Sequence, residues 1–137
     1  NGLWNVEITP SAALDPSCSY LVVVTNALKG LTGLPSQPSV ASSLLAGQYE
    51  LLDNSTNPPS LNSPLLDSST DVLLALGKDP QTASPDDWDM ASSLLITTLK
   101  QIEALRKIYS PHYEFLASNG DPRESIVALW TFTTDEQ

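Results

Sequence analysis

The strongest alternation of apolar and polar positions lies at the two ends of the chain. Near the start, Trp4, Val6 and Ile8 share one side of an extended segment, and Leu3, Asn5, Glu7 and Thr9 share the other. This spacing predicts a strand over Leu3–Thr9, stopped by Pro10. Asp15-Pro16-Ser17 then has the composition of a turn, and Tyr20-Leu21-Val22-Val23-Val24-Thr25 is an uncharged, β-branched run. A run apolar on both sides predicts a strand placed centrally in a sheet. The other end predicts the same: in Ser125–Thr133, alternation puts Ile126, Ala128, Trp130 and Phe132 on one face and Val127, Leu129 and Thr131 on the other. Trp4, Trp130 and Phe132 are therefore expected in the core.

Between these strands the period changes to that of helices. Asn26–Leu34, with Gly30 and Gly33, reads as a turn-rich loop, and Ser39–Ala46 as a short helix closed by Gly47. Asn54–Ser60 has the composition of a surface loop, and Asp71–Leu76 reads as a helical turn or short helix ended by Gly77. The clearest helix starts at Ser84-Pro85-Asp86-Asp87. Ser84 suits the N-cap, Pro85 the first helical position, and the two aspartates the positive end of the helix dipole. From there Trp88, Leu95, Leu99, Ile102, Leu105, Tyr109, Tyr113 and Leu116 mark one buried stripe, and Glu103 and Lys107 have the spacing of an i,i+4 ion pair. Pro111 is expected to break or kink this helix, with a second short one over Pro111–Ala117 ended by Asn119-Gly120. No internal repeat and no heptad run is evident. The fold class expected is α+β: a partial Ig-like antiparallel sheet of about three strands. A helical insertion over residues 35–120, containing a long Pro-kinked helix, separates strands 20–25 and 125–133 within a single domain or domain fragment, 1–137.

Charge narrows the partners. Sixteen acids face six bases, a net charge of −10 over 137 residues, which repels phosphate backbones and anionic headgroups. Nucleic acid is thus excluded as a partner. Half of the bases crowd one stretch, Lys100, Arg106 and Lys107, with Arg123 beyond it and Lys29 and Lys78 before it. No apolar run reaches the length of a membrane span.

Each candidate for chemistry has a structural competitor. Cys18 lies in a turn with no neighbouring base to activate it, and a plain turn residue is the simpler reading. One histidine and one cysteine make no zinc site. Asp86, Asp87 and Asp89 lack the spacing of a calcium loop and are explained by the helix start. No metal or other cofactor is expected. There is no Gly-x-Ser-x-Gly elbow, and His112, the one imidazole, sits beside Pro111, where a surface or capping role is expected and the side chain should be dispensable. Two readings stay open for the residues around Pro111: Tyr109, His112, Tyr113 and Phe115 either line a groove or interface, for an acyl chain or peptide, or pack as core. Asn54-Ser55-Thr56 matches an N-glycosylation sequon, a pattern short enough to arise by chance.

The words at the two ends carry a resemblance. Leu14-Asp15-Pro16 followed by Tyr20-Leu21-Val22-Val23-Val24-Thr25-Asn26-Ala27-Leu28-Lys29-Gly30 resembles the turn, strand and turn of a central hairpin in bacterial Ig-like domains. Trp130-Thr131-Phe132-Thr133-Thr134 is similar to their closing strand. With Glu124-Ser125-Ile126-Val127 leading into it and a helical segment before it, the pattern looks most like the N-terminal Ig-like domain of bacterial virulence-factor lipases. The likeness spans roughly Val6 to Thr134 and is specific at its ends. It implies a non-catalytic accessory module of an exported protein, secreted or on the outer-membrane surface, that docks on or presents a separate α/β-hydrolase domain of the same parent. The alternatives are an extracellular binding module for a lipid, glycan or other surface ligand, and a small subunit recognising a protein partner.

Overall fold

The computed structural model describes residues 7–136. In chain order it contains β1 (Ser19–Thr25), α1 (Val40–Leu45), β2 (Leu52–Asp53), β3 (Ser60–Leu61), α2 (Ser69–Ala75), α3 (Pro85–Ser118) and β4 (Ile126–Thr133). Two short 3-10 turns, Pro64–Leu66 and Arg123–Ser125, precede α2 and β4. The class is α+β: two small antiparallel sheets, β1–β4 and β2–β3, around one long helix.

The strand expected over Leu3–Thr9 lies mostly outside the described residues, Trp4 and Val6 included, and Glu7, Ile8 and Thr9 belong to no strand. The main sheet is accordingly a two-stranded ribbon, and β1 and β4 each keep one unpaired edge among the described residues. Among the described residues neither strand is central, unlike the expectation drawn from their uniformly apolar runs. The β2–β3 hairpin was not anticipated at all. Its strands are two residues long, too short for a period to show, and residues 54–59 connect them, so Ser60 of the expected loop begins β3.

Helix α3 begins where the local chemistry says it should. The Ser84 hydroxyl accepts the Asp87 N–H at 3.2 Å, and the Asp87 carboxylate accepts the Ser84 N–H at 3.0 Å, a reciprocal capping box. The Ser84 N–H and hydroxyl, each donating to Asp87 Oδ2 at 3.0 Å, hold its carboxyl below the ordinary pKa. A Ser84→Ala variant is expected to lose about 1 kcal/mol in urea unfolding, the usual worth of an N-cap. The helix then runs unbroken through Pro111 to Ser118, correcting the expected break and second helix. Proline deprives the Lys107 carbonyl of its helical donor, but Lys107 and Pro111 both lie on the exposed side, where water can satisfy that oxygen. Tyr109 and Tyr113, one on each side of the proline, anchor both halves to the ribbon. The helix closes at Asn119 and Gly120, the latter at φ +96°, as its Asn-Gly ending suggested.

Two apolar clusters flank α3. Leu51 and Leu52 pack on Leu95 and Leu99 under the β2–β3 hairpin, joined by Leu44, Leu61 and Val72. Tyr113, Leu116 and Ile126 form the second cluster with Leu21, Val23 and Leu129, which places the C-terminal half of α3 across one face of the ribbon. Most of the expected stripe is buried or half-buried. Leu105 is the exception, 43% exposed, and its place facing the core is taken by Glu103 and Arg106.

Candidate functional site

The ribbon is registered Tyr20↔Phe132, Val22↔Trp130 and Val24↔Ala128, then shifts so that Thr25 faces Ile126. Val127 is the extra residue of a bulge. The bulge reverses one expected assignment: Ile126 joins Leu129 on the helix-facing side rather than sharing the face of Trp130. With Ile126 turned inward, Tyr20, Val22, Trp130 and Phe132 make up the outward face, with Ile8, Pro10 and Leu14 alongside, lining an open groove of about 350 Å3. Tyr20 and Phe132 stack across the strands with ring centroids 5.5 Å apart. Trp130 is 41% and Phe132 39% exposed, which corrects their expected place in the core. Alternation sorted these side chains onto one face correctly; it carried no information on whether anything covers that face.

One end of this face is fastened by backbone bonds and rimmed with acid. The Tyr20 hydroxyl accepts the Asp15 N–H at 2.8 Å, and the Thr134 hydroxyl donates to the Asp15 carbonyl at 2.6 Å. Cys18 is half-buried here: its N–H donates to the Thr134 hydroxyl at 3.0 Å, and its carbonyl accepts the Thr134 N–H at 2.9 Å. Its backbone thus extends the ribbon, and the thiol has no disulfide partner. Asp15, Asp135 and Glu136 are exposed around this end.

Beneath the ribbon, the residues around Pro111 are dealt to different surroundings. Tyr113 is almost fully buried against Leu116 and Ile126, and burial pushes its phenol up from the ordinary value. The Arg123 guanidinium lies over its ring, 5.4 Å from the centroid. Tyr109 packs half-buried on the same cluster, with the His112 ring 6.1 Å away. Phe115 is exposed on another side of the helix. The four residues therefore do not converge on one groove. His112 sits mid-helix rather than at a helix start, so the capping alternative does not apply to it.

The bases are placed in an unexpected way. Glu103 pairs with Arg106, not Lys107: Arg106 Nη2 donates to Glu103 Oε1 at 2.6 Å and Nε to Oε2 at 2.9 Å, with both side chains buried. Glu103 also accepts the Leu51 N–H at 3.1 Å, and Arg106 donates to the Gly47 carbonyl at 3.3 Å. Arg123 donates to the Ala46 carbonyl at 3.0 Å and to the Ser110 hydroxyl at 3.2 Å. Arg106 and Arg123 thus fasten Ala46 and Gly47 to α3 and to the turn before β4. Lys107 reaches Glu50 at 3.9 Å, on the surface. The hydrogen bonds from Arg106 hold the Glu103 carboxyl below its usual range, with burial opposing.

The carboxylates whose pKa departs from the ordinary value, Asp53, Asp67, Asp87 and Glu103, are all lowered, by hydrogen bonds to serines or to Arg106. Among the described residues no three His, Cys, Asp or Glu side chains are grouped to hold a metal ion, and no helix is long and apolar enough to cross a membrane. Comparison with family models, curated proteins and solved structures gave no match. Among the described residues, the feature with the properties of a site is the outward face of the ribbon: apolar, aromatic, partly exposed and bordered by two strand edges without a described partner.

Proposed function

We propose that this chain is a non-catalytic accessory module that docks on a separate catalytic domain through the outward face of the β1–β4 ribbon. The observation that carries this reading is the exposure of Trp130 and Phe132, with Tyr20 and Val22 half-buried beside them, on strands whose composition suits burial on both sides. Aromatic side chains held rigid by cross-strand stacking are effective anchors for a protein partner, because little rotamer freedom remains to be lost on docking. The words at the chain's two ends, which resemble the Ig-like domain of exported bacterial lipases, supply the kind of parent: an exported protein with an α/β-hydrolase domain. In that setting the ribbon is part of an Ig-like sheet, and the partner domain or further strands cover its open face. The lowered carboxylates act as caps and as a partner for Arg106, a structural use consistent with a module that does no chemistry itself.

The coding sequence on either side of this segment tests the reading. An export signal upstream and a Gly-x-Ser-x-Gly elbow downstream are expected. With that hydrolase domain in hand, Trp130→Ser and Phe132→Ser are each expected to weaken its capture of this chain about tenfold or more while leaving the helical circular dichroism unchanged. A reading frame that continues into Ig-like repeats without a hydrolase, or ester hydrolysis by the isolated chain, overturns the proposal.

A further inference from the structure

The flank of α3 turned away from the buried stripe carries a second apolar surface. Met90, Leu94, Leu105, Ile108 and Phe115 are all exposed. From Leu94 onward the positions follow alternating steps of four and three residues, 94, 98, 101, 105, 108, 112 and 115, the spacing of a coiled-coil seam. Thr98, Gln101 and His112 fill the remaining places, which is why hydrophobicity alone shows no heptad. The seam is about 30 Å long, and no position on it is charged. Exposed charges of the same helix, Lys100, Lys107 and Glu114, recur every seven residues on the opposite flank.

We infer that this seam is a self-association surface on which α3 of a second copy packs antiparallel. Two features select a second copy as the occupant. A chain with a net charge of −10 repels its own copies, so a homodimer needs a contact surface free of carboxylates, and this long flank of α3 has none. The seam is also nearly symmetric about Leu105. A two-fold axis there sets Leu94 against Phe115, Thr98 against His112, and Leu105 against its own copy, so that apolar meets apolar and polar meets polar. Only Gln101 against Ile108 is mixed. The surface is separate from the outward face of the ribbon, so dimerisation and docking on a catalytic domain are independent.

Sedimentation equilibrium of the 137-residue chain over rising concentration is expected to show a monomer–dimer equilibrium. Leu105→Lys, which sets two like charges at the axis, is expected to raise the dissociation constant at least about tenfold. Leu105 is 43% exposed, so the fold and its circular dichroism should survive the change. Orientation is read by cross-linking in a Cys18→Ser background with copper–phenanthroline as oxidant. Leu105→Cys is expected to give a disulfide-linked dimer, whereas Met90→Cys, far from the axis in an antiparallel pair, is not. A chain that stays monomeric at millimolar concentration overturns the inference. So does a dimer indifferent to Leu105→Lys, or one that Met90→Cys cross-links as readily as Leu105→Cys.

Discussion

Replacing Arg106 by alanine is expected to destabilise the fold by about 3–5 kcal/mol, because it leaves a buried carboxylate without its counter-charge. Glu103 keeps the Leu51 N–H, but it loses the two donors at 2.6 and 2.9 Å, and the Gly47 carbonyl loses its own. Urea unfolding followed by far-UV circular dichroism measures the cost. The double variant Glu103→Leu, Arg106→Met is expected to recover part of it, since an apolar pair of similar volume needs no desolvated charge, while the Leu51 N–H and Gly47 carbonyl stay without the partners that Glu103 and Arg106 supplied. The same pair sets an acid limb. The folded-state pKa of Glu103 is depressed from its ordinary value of 4.5, so its contribution is fully present above that value. It is lost as pH falls through the folded value. Asp53, Asp67 and Asp87 are lowered too and add to the same limb. The share due to Glu103 is therefore the difference in slope between the native chain and Arg106→Ala below about pH 4.5, with the variant flatter. Equal slopes would show that the pair contributes nothing to the acid sensitivity.

Tyr113→Ala is expected to cost a similar amount, about 3–5 kcal/mol, as for other large aromatic-to-alanine changes in a core. The ring is 2% exposed and links three elements: α3, β4 through Ile126, and the Arg123 guanidinium. Its loss opens a cavity under the ribbon and frees Arg123 from the ring. The result also separates the two readings that the sequence leaves open for this tyrosine. A residue lining a groove would leave the urea midpoint nearly unmoved, within about 0.5 kcal/mol for a surface position. A core residue lowers it steeply.

What the sequence conveyed was what neighbouring residues decide among themselves. Ser84-Pro85-Asp86-Asp87 announced the start of α3 because capping is settled within four residues, and Asn119-Gly120 announced its end for the same reason. The β-branched run Tyr20–Thr25 and the alternation of Ser125–Thr133 located β1 and β4 to within a residue. What depended on a distant partner was lost. The Val127 bulge exists only relative to Thr25, so the side of Ile126 could not be read from β4 alone. Glu103 had Lys107 and Arg106 equally near along the helix, and the Leu51 N–H and Gly47 carbonyl, far along the chain, turned the carboxylate and Arg106 inward together. Pro111 carries an intrinsic penalty that predicted a break, yet packing of Tyr109 and Tyr113 outweighs it. The candidate site was half legible: Trp130 and Phe132 stood out as aromatic strand residues, while their exposure is a property of the whole assembly.

The ribbon also sets the order in which this chain assembles. Ser19 and Thr133, hydroxyls 3.1 Å apart, are separated by 114 positions, so β1 finds β4 only after everything between them has been drawn together. Closing so long a loop is entropically slow, whereas α2 on α3 and the β2–β3 hairpin join residues much nearer in sequence. The ribbon is accordingly expected to be the last part to zip. A partner seated on Tyr20, Val22, Trp130 and Phe132 binds only the zipped form, so each increment of docking affinity also keeps the two ends of the chain knit together. Occupancy of that face and integrity of the ribbon are then linked in one equilibrium.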